Sequence, residues 1–185
     1  WQSWRFRKNK PAGRFSLKFA IFGMLGAGIG TLFLVKFSSF ALTTFIALII
    51  LFYVAFKLRN PSWTLNWTLA NKFVIPIGSI GGFLQGSTGL SAPVSVTFMS
   101  SVNLRREEFI FTMSLYFFVM TLIQFPVQMY LGVMNLERFA YGAVAIFPLS
   151  IGMYAGGYLG QKLSKTTFEK AIIALLLLLS LRLLA

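Results

Sequence analysis

The stretch Gly81-Gly82-Phe83-Leu84-Gln85-Gly86-Ser87-Thr88-Gly89-Leu90-Ser91-Ala92-Pro93 joins residues that interrupt a helix to side chains that donate uncharged hydrogen bonds. Pro93, preceded by Ser91 and Ala92, reads as the first turn of a new half-helix. The free N–H groups and positive dipole end of such a turn can hold a negative group. Gln85, Ser87, Thr88 and Ser91 add donors without adding charge. This is the chemistry of holding an anion. The candidate substrate-binding residues are therefore Gly82, Gln85, Gly86, Ser87, Thr88, Gly89, Ser91 and Pro93, with Thr112 and Gln124 from a later apolar run. For the glycines alone a blander role competes, because Gly82 and Gly86 stand four apart and that spacing lets two helices approach closely. Gln124 and Gln128 also lie four apart on one helical face, where interhelical hydrogen bonding explains them as well as substrate contact does.

Bond-making chemistry finds little to work with. The chain has no His, no Cys and no Asp, and its four acidic residues, Glu107, Glu108, Glu137 and Glu169, fall between the apolar runs. General acid–base catalysis and thiolate metal sites both lose their usual groups, so neither an enzyme nor a cofactor is expected. Proton relays inside membranes use buried carboxylates or histidines, so any proton coupling here would be indirect or involve a loop glutamate.

The elements that must position the segment are membrane spans. Hydrophobic residues make up 57% of the 185, charged residues only 11%, and the mean hydropathy is +0.76. A soluble domain is about a quarter charged. Six apolar runs approach the length of a bilayer span: Phe19–Val35, Phe40–Phe56, Phe73–Met99, Phe109–Leu131, Phe139–Leu159 and Ala171–Leu184. The expected fold is an all-α integral membrane protein, a polytopic helical bundle with an internal repeat and a glycine-broken helix. The net charge of +13 lies in the gaps between runs, opening with Arg5, Arg7, Lys8, Lys10, Arg14 and Lys18. That placement fits cytoplasmic loops and argues against nucleic acid as a partner. The expected partners are the lipid bilayer and a small anion, and a homo-oligomer is compatible with the sequence. Trp63 and Trp67 suit an interfacial belt.

Phe73–Met99 is long for one span and is punctuated by Pro76, Pro93 and several glycines. Counted as one crossing, it puts the basic stretch Lys162 to Lys170 on the same side as the nearly neutral turn at Lys36. Counted as a segment that dips in and returns, or as two broken halves, it brings Arg105, Arg106 and the later lysines to one side. A repeat supports the second count. Gly26 and Gly30, a polar turn and Ile46-Ala47-Leu48-Ile49-Ile50-Leu51 recur as Gly156 and Gly160, a polar turn and Ile173-Ala174-Leu175-Leu176-Leu177-Leu178. The two hairpins would then be inverted copies. The division expected is 1–57 as the end of a first repeat, 58–72 as the joining loop and 73–185 as a second repeat. Helix contact is the expected role of Gly26 with Gly30, and of Gly152, Gly156 and Gly160.

These motifs resemble the sulfite exporter TauE/SafE family of bacterial membrane transporters. Gly82-x-x-x-Gly86-x-x-Gly89 followed by Pro93 is similar to the glycine-rich motif opening each repeat of that family. The ending Gly156-Gly157-Tyr158-Leu159-Gly160-Gln161-Lys162-Leu163, closing at Leu181-Arg182-Leu183-Leu184, resembles its C-terminus. Ser91 and Ala92 stand where the family commonly has glycine. The resemblance implies export of small anions such as sulfite or organosulfonates across the bacterial inner membrane. It also implies that the chain, which opens at Trp1 within a basic stretch, lacks the first spans of the first repeat.

Overall fold

The computed structural model describes residues 13–60, 63–102, 104–162, 167, 173–174, 176–178 and 180–182. Six of the fourteen residues of the last expected span, the lysines at 165 and 170 and the basic residues before Gly13 lie outside the described residues. Among the described residues the regular elements are helices: α1 (Gly13–Leu34), α2 (Ser39–Arg59), α3 (Trp67–Thr88), α4 (Ala92–Ser101), α5 (Arg106–Tyr130) and α6 (Leu136–Lys162). Those at Gly13–Leu34, Phe40–Arg59, Arg106–Tyr130 and Leu136–Gly156 are long and apolar enough to cross a membrane. This is an all-α, multi-pass membrane protein.

The helix starts follow local chemistry. Ser38 Oγ accepts from the Ala41 N–H at the head of α2, and Asn66 Oδ1 accepts from the Leu69 N–H at the head of α3. The Asn66 cap explains why α3 begins at Trp67, earlier than the apolar run at Phe73. The α5 start is closed by Glu108, whose carboxylate accepts from the Arg105 backbone N–H at 3.0 Å and from its guanidinium at 2.7 and 2.8 Å.

Three helices form the core, and they run parallel. Rising along α1, Phe19, Gly23 and Ala27 meet Gly78, Gly82 and Gly86 of α3 in the same order. Ser16 and Phe19 likewise meet Thr112 and Tyr116 of α5. The chain runs back along α4, because Gln85 bonds Ser91, Gly81 faces Ser95 and the Leu65 N–H reaches the Ser101 carbonyl. The segment expected to dip in and return is thus a hairpin of a 22-residue helix and a 10-residue half-helix.

That hairpin settles the charge pattern. Arg14, Lys18, Lys57, Arg59, Lys72, Arg105 and Arg106 gather where α1, α3 and α5 start and α2 and α4 finish. Lys36 and Arg138 sit at the opposite end. By the positive-inside rule the first end faces the cytoplasm.

The contact expected of Gly152 and Gly156 is not made by any described helix. A Cβ at Gly152 or Gly156 would meet nothing within 4 Å. Described side chains of α6 from Glu137 to Gly156 are exposed throughout. The spacing of those glycines is right for contact, but no described helix lies against that face. Gly160 belongs to the part of α6 whose side chains are not described.

Candidate functional site

The break between α3 and α4 is made by one residue in a conformation that L side chains resist. Gly89 caps α3 with φ +76°, and its N–H closes on the Gln85 carbonyl at 2.9 Å. Leu90 and Ser91 then lead into α4, with Pro93 in its first turn. A 10-residue helix rises about 15 Å, half of a hydrocarbon core about 30 Å thick. Since α4 ends beside Leu65 at the cytoplasmic end, its N-terminus opens at membrane depth.

Around that opening the structure brings together Gln85, Gly89, Ser91 and Gln124. The Ser91 hydroxyl donates to Gln85 Oε1 at 3.0 Å, and Gln124 Nε2 on α5 donates to the Gln85 carbonyl at 3.3 Å. The Val94 and Ser95 N–H groups both bond back to the Ser91 carbonyl, and Pro93 has no N–H. The Ala92 N–H and Gln85 Nε2 are left as donors without a partner among the described residues. Ala92 and Gly89 are exposed and Gln85 is half-buried. The positive end of the α4 dipole adds to these donors. The arrangement can accept an anion by hydrogen bonds alone.

Other predicted residues have local partners. The hydroxyls of Ser87 and Thr88 donate one turn back to the Phe83 and Leu84 carbonyls at 2.8 and 2.7 Å. Thr88 Oγ1 also accepts from the Leu90 N–H at 3.2 Å, which helps to turn the chain out of α3. Thr112 is fully buried against the Ser16 hydroxyl at 2.8 Å, twelve residues before Gln124 on the same helix. Gly82 and Gly86 face α1, where an added Cβ would strike the Gly23 and Ala27 carbonyls. They carry the packing that their spacing allowed, along with Gly26 and Gly30, which press on Ser79 and Phe83.

Two residues of this region were not singled out by sequence. Tyr116 has no exposed surface, stacks on Phe19 with ring centroids 4.1 Å apart, and donates its hydroxyl to the Gly78 carbonyl at 3.0 Å. Ser95 is also fully buried, and its hydroxyl donates to the Ser91 carbonyl at 2.6 Å. Both oxygens crowd the space beside Gly81. A tyrosine among phenylalanines carries no spacing signal, whereas Ser95, four residues after Ser91, was a legible one.

Tyr116 therefore joins α1, α3 and α5 at one point. Tyr116→Ala empties an aromatic site and leaves the Gly78 carbonyl unpaired, an expected loss of about 3–5 kcal/mol. Tyr116→Phe removes only the hydroxyl and is expected to cost about 1 kcal/mol. Thermal unfolding in detergent would rank the two, and equal losses would remove the ring from the core's support.

A sequence profile for the sulfite exporter TauE/SafE family matches residues 1–183. The chain belongs to this family. Its members are membrane transporters for the export of sulfite and related anions, so the TauE/SafE match and the anion-type donors at the α3–α4 break agree in chemistry. No curated protein and no solved structure matches the chain. Among the described residues no group of His, Cys, Asp or Glu could hold a metal ion.

Proposed function

We propose that the protein exports small anions such as sulfite or short organosulfonates by alternating access around the α3–α4 break. The observation that carries this reading is the half-helix N-terminus at membrane depth, with Gln85 Nε2 and the Ala92 N–H beside it and without a partner among the described residues. Backbone left unwound in lipid costs several kcal/mol per unpaired group unless protein or a water-filled cavity receives it. A break kept at that depth is best explained by a ligand path. The interlocked α1, α3 and α5 would form the fixed body, with α4 as the short element beside it. The two hairpins would be inverted copies, with 1–57 closing one repeat and 73–185 forming the other. The bacterial inner membrane is the setting this function implies.

A second reading, a membrane scaffold without a substrate, draws on Gly82 and Gly86, which are taken up by contact with α1. Flux separates the two. Proteoliposomes loaded with labelled sulfite or a short sulfonate are expected to show saturable efflux that responds to an imposed proton gradient. Folded protein that releases neither anion faster than empty liposomes would favour the scaffold. Efflux that is neither saturable nor gradient-sensitive would point to a passive permease.

A further inference from the structure

One face of α1 holds a pair of cations above a continuous apolar stripe. Arg14 and Lys18, four residues apart and both exposed, share the face with Leu17, Ile21, Leu25, Ile29 and Leu32. Positions four apart are neighbours on a helix surface. The opposite face, through Phe15, Phe19, Gly23 and Ala27, is spent on α3 and α5. The pair sits at the cytoplasmic end of the bundle, where the exposed Trp67 ring lies 5.0 Å from that of Phe15. Tryptophan at that level marks the boundary between acyl chains and headgroups.

Nothing in the described chain neutralises these cations. The acidic residues described at this end are Glu107 and Glu108, both on α5, and Glu108 is held by Arg105, while Glu169 lies outside the described residues. The Arg105–Glu108 contact is the ion pair among the described residues. Lys57, Arg59 and Lys72 add charge of the same sign from α2 and α3, and the sequence before α1 adds Arg5, Arg7, Lys8 and Lys10 without an acid. The described residues supply no counter-charge for the Arg14 and Lys18 pair.

We infer that the cytoplasmic end of α1 binds an anionic phospholipid. The phosphodiester sits between Arg14 and Lys18, and an acyl chain lies along Ile21, Leu25 and Ile29. Orientation by the positive-inside rule explains why these residues are basic, since loop charge alone sets it. It does not require a bound lipid afterwards. The further element is a pair i, i+4 on the lipid-facing side, placed directly over an apolar stripe and with no acidic partner among the described residues. A surface of this composition attracts an acidic headgroup by roughly a fivefold preference per cation, about 1 kcal/mol each.

The test assembles the full chain into nanodiscs from equal amounts of phosphatidylglycerol and phosphatidylcholine, and compares the lipids retained after detergent exchange. The wild type is expected to retain phosphatidylglycerol several-fold over phosphatidylcholine. Arg14→Gln with Lys18→Gln should bring that ratio close to parity, since two cations at about fivefold each account for a preference of up to about 25-fold. Lys36→Gln, at the opposite end, should leave it unchanged. Raising the salt toward 1 M, where screening acts within about 3 Å, should erase the wild-type preference. The salt arm stands even if the double variant fails to fold. Parity in the wild type, a preference indifferent to salt, a double variant that retains the preference, or an equal loss in Lys36→Gln would each overturn the inference.

Discussion

Gly82→Val is expected to abolish the assembled bundle. The first atom beyond the Gly82 Cα would collide with the Gly23 carbonyl of α1, and the atoms it meets are backbone. A flexible side chain could swing aside, but two helix backbones can only move apart. Moving them apart would also break the contacts that Gly26, Gly30 and Gly86 make along the same seam. In lipid the association of helices depends on close packing, because burial of apolar surface brings no gain there. Ordinary overpacking costs about 1–3 kcal/mol, and a backbone collision with no relief should exceed the upper value. The expected result is loss of the monodisperse peak in size-exclusion chromatography and loss of cooperative unfolding. Gly89→Ala makes the comparison informative. Gly89 has nothing within 4 Å of its Cβ position and departs from ordinary geometry only in φ, +76°. Its cost should be about 1–2 kcal/mol, with the bundle retained. If Gly82→Val and Gly89→Ala behave alike, the α1–α3 seam does not hold the structure together.

How far these features were legible depends on whether one helix or two must be known. The break at Gly89 and the new start at Ser91, Ala92 and Pro93 were readable, because a left-handed cap and a first-turn proline are properties of a local sequence. The return of the chain was readable too, since only a returning hairpin places Arg105 and Arg106 with the other cations. Partnership was not readable. Gly82 and Gly86 were equally compatible with a ligand and with a helix, and their contact with Gly23 and Ala27 depends on α1 and α3 lying parallel. Thr112 looked available from its own helix, but its hydroxyl is engaged by Ser16 from 96 residues away. Gly152 and Gly156 show the reverse case, a contact spacing with no described helix against it. Spacing says which face a residue shares, and the neighbour comes only from the packing.

The largest effect on transport is expected from Gln85→Glu. The substitution keeps the side-chain oxygen that accepts from the Ser91 hydroxyl at 3.0 Å, and the backbone carbonyl that receives Gln124 and Gly89 is untouched. The turn between α3 and α4 should therefore persist, and abundance and unfolding temperature should stay close to wild type. What changes is the other half of the amide. Nε2, a donor with no described partner, becomes a carboxylate oxygen facing the same opening as the Ala92 N–H. A lost hydrogen bond to a charged group is worth about 1.5–3 kcal/mol, a factor of about ten to a hundred, and repulsion between like charges adds to it. Sulfite efflux should fall by at least that factor, and more steeply at higher pH as the introduced carboxyl ionises. Gln124→Leu, which removes a donor spent on the Gln85 carbonyl, should act through the position of the turn and cost much less. If Gln85→Glu exports at the wild-type rate, the anion does not pass this opening. The donors at the head of α4 would then serve only to close the helix end.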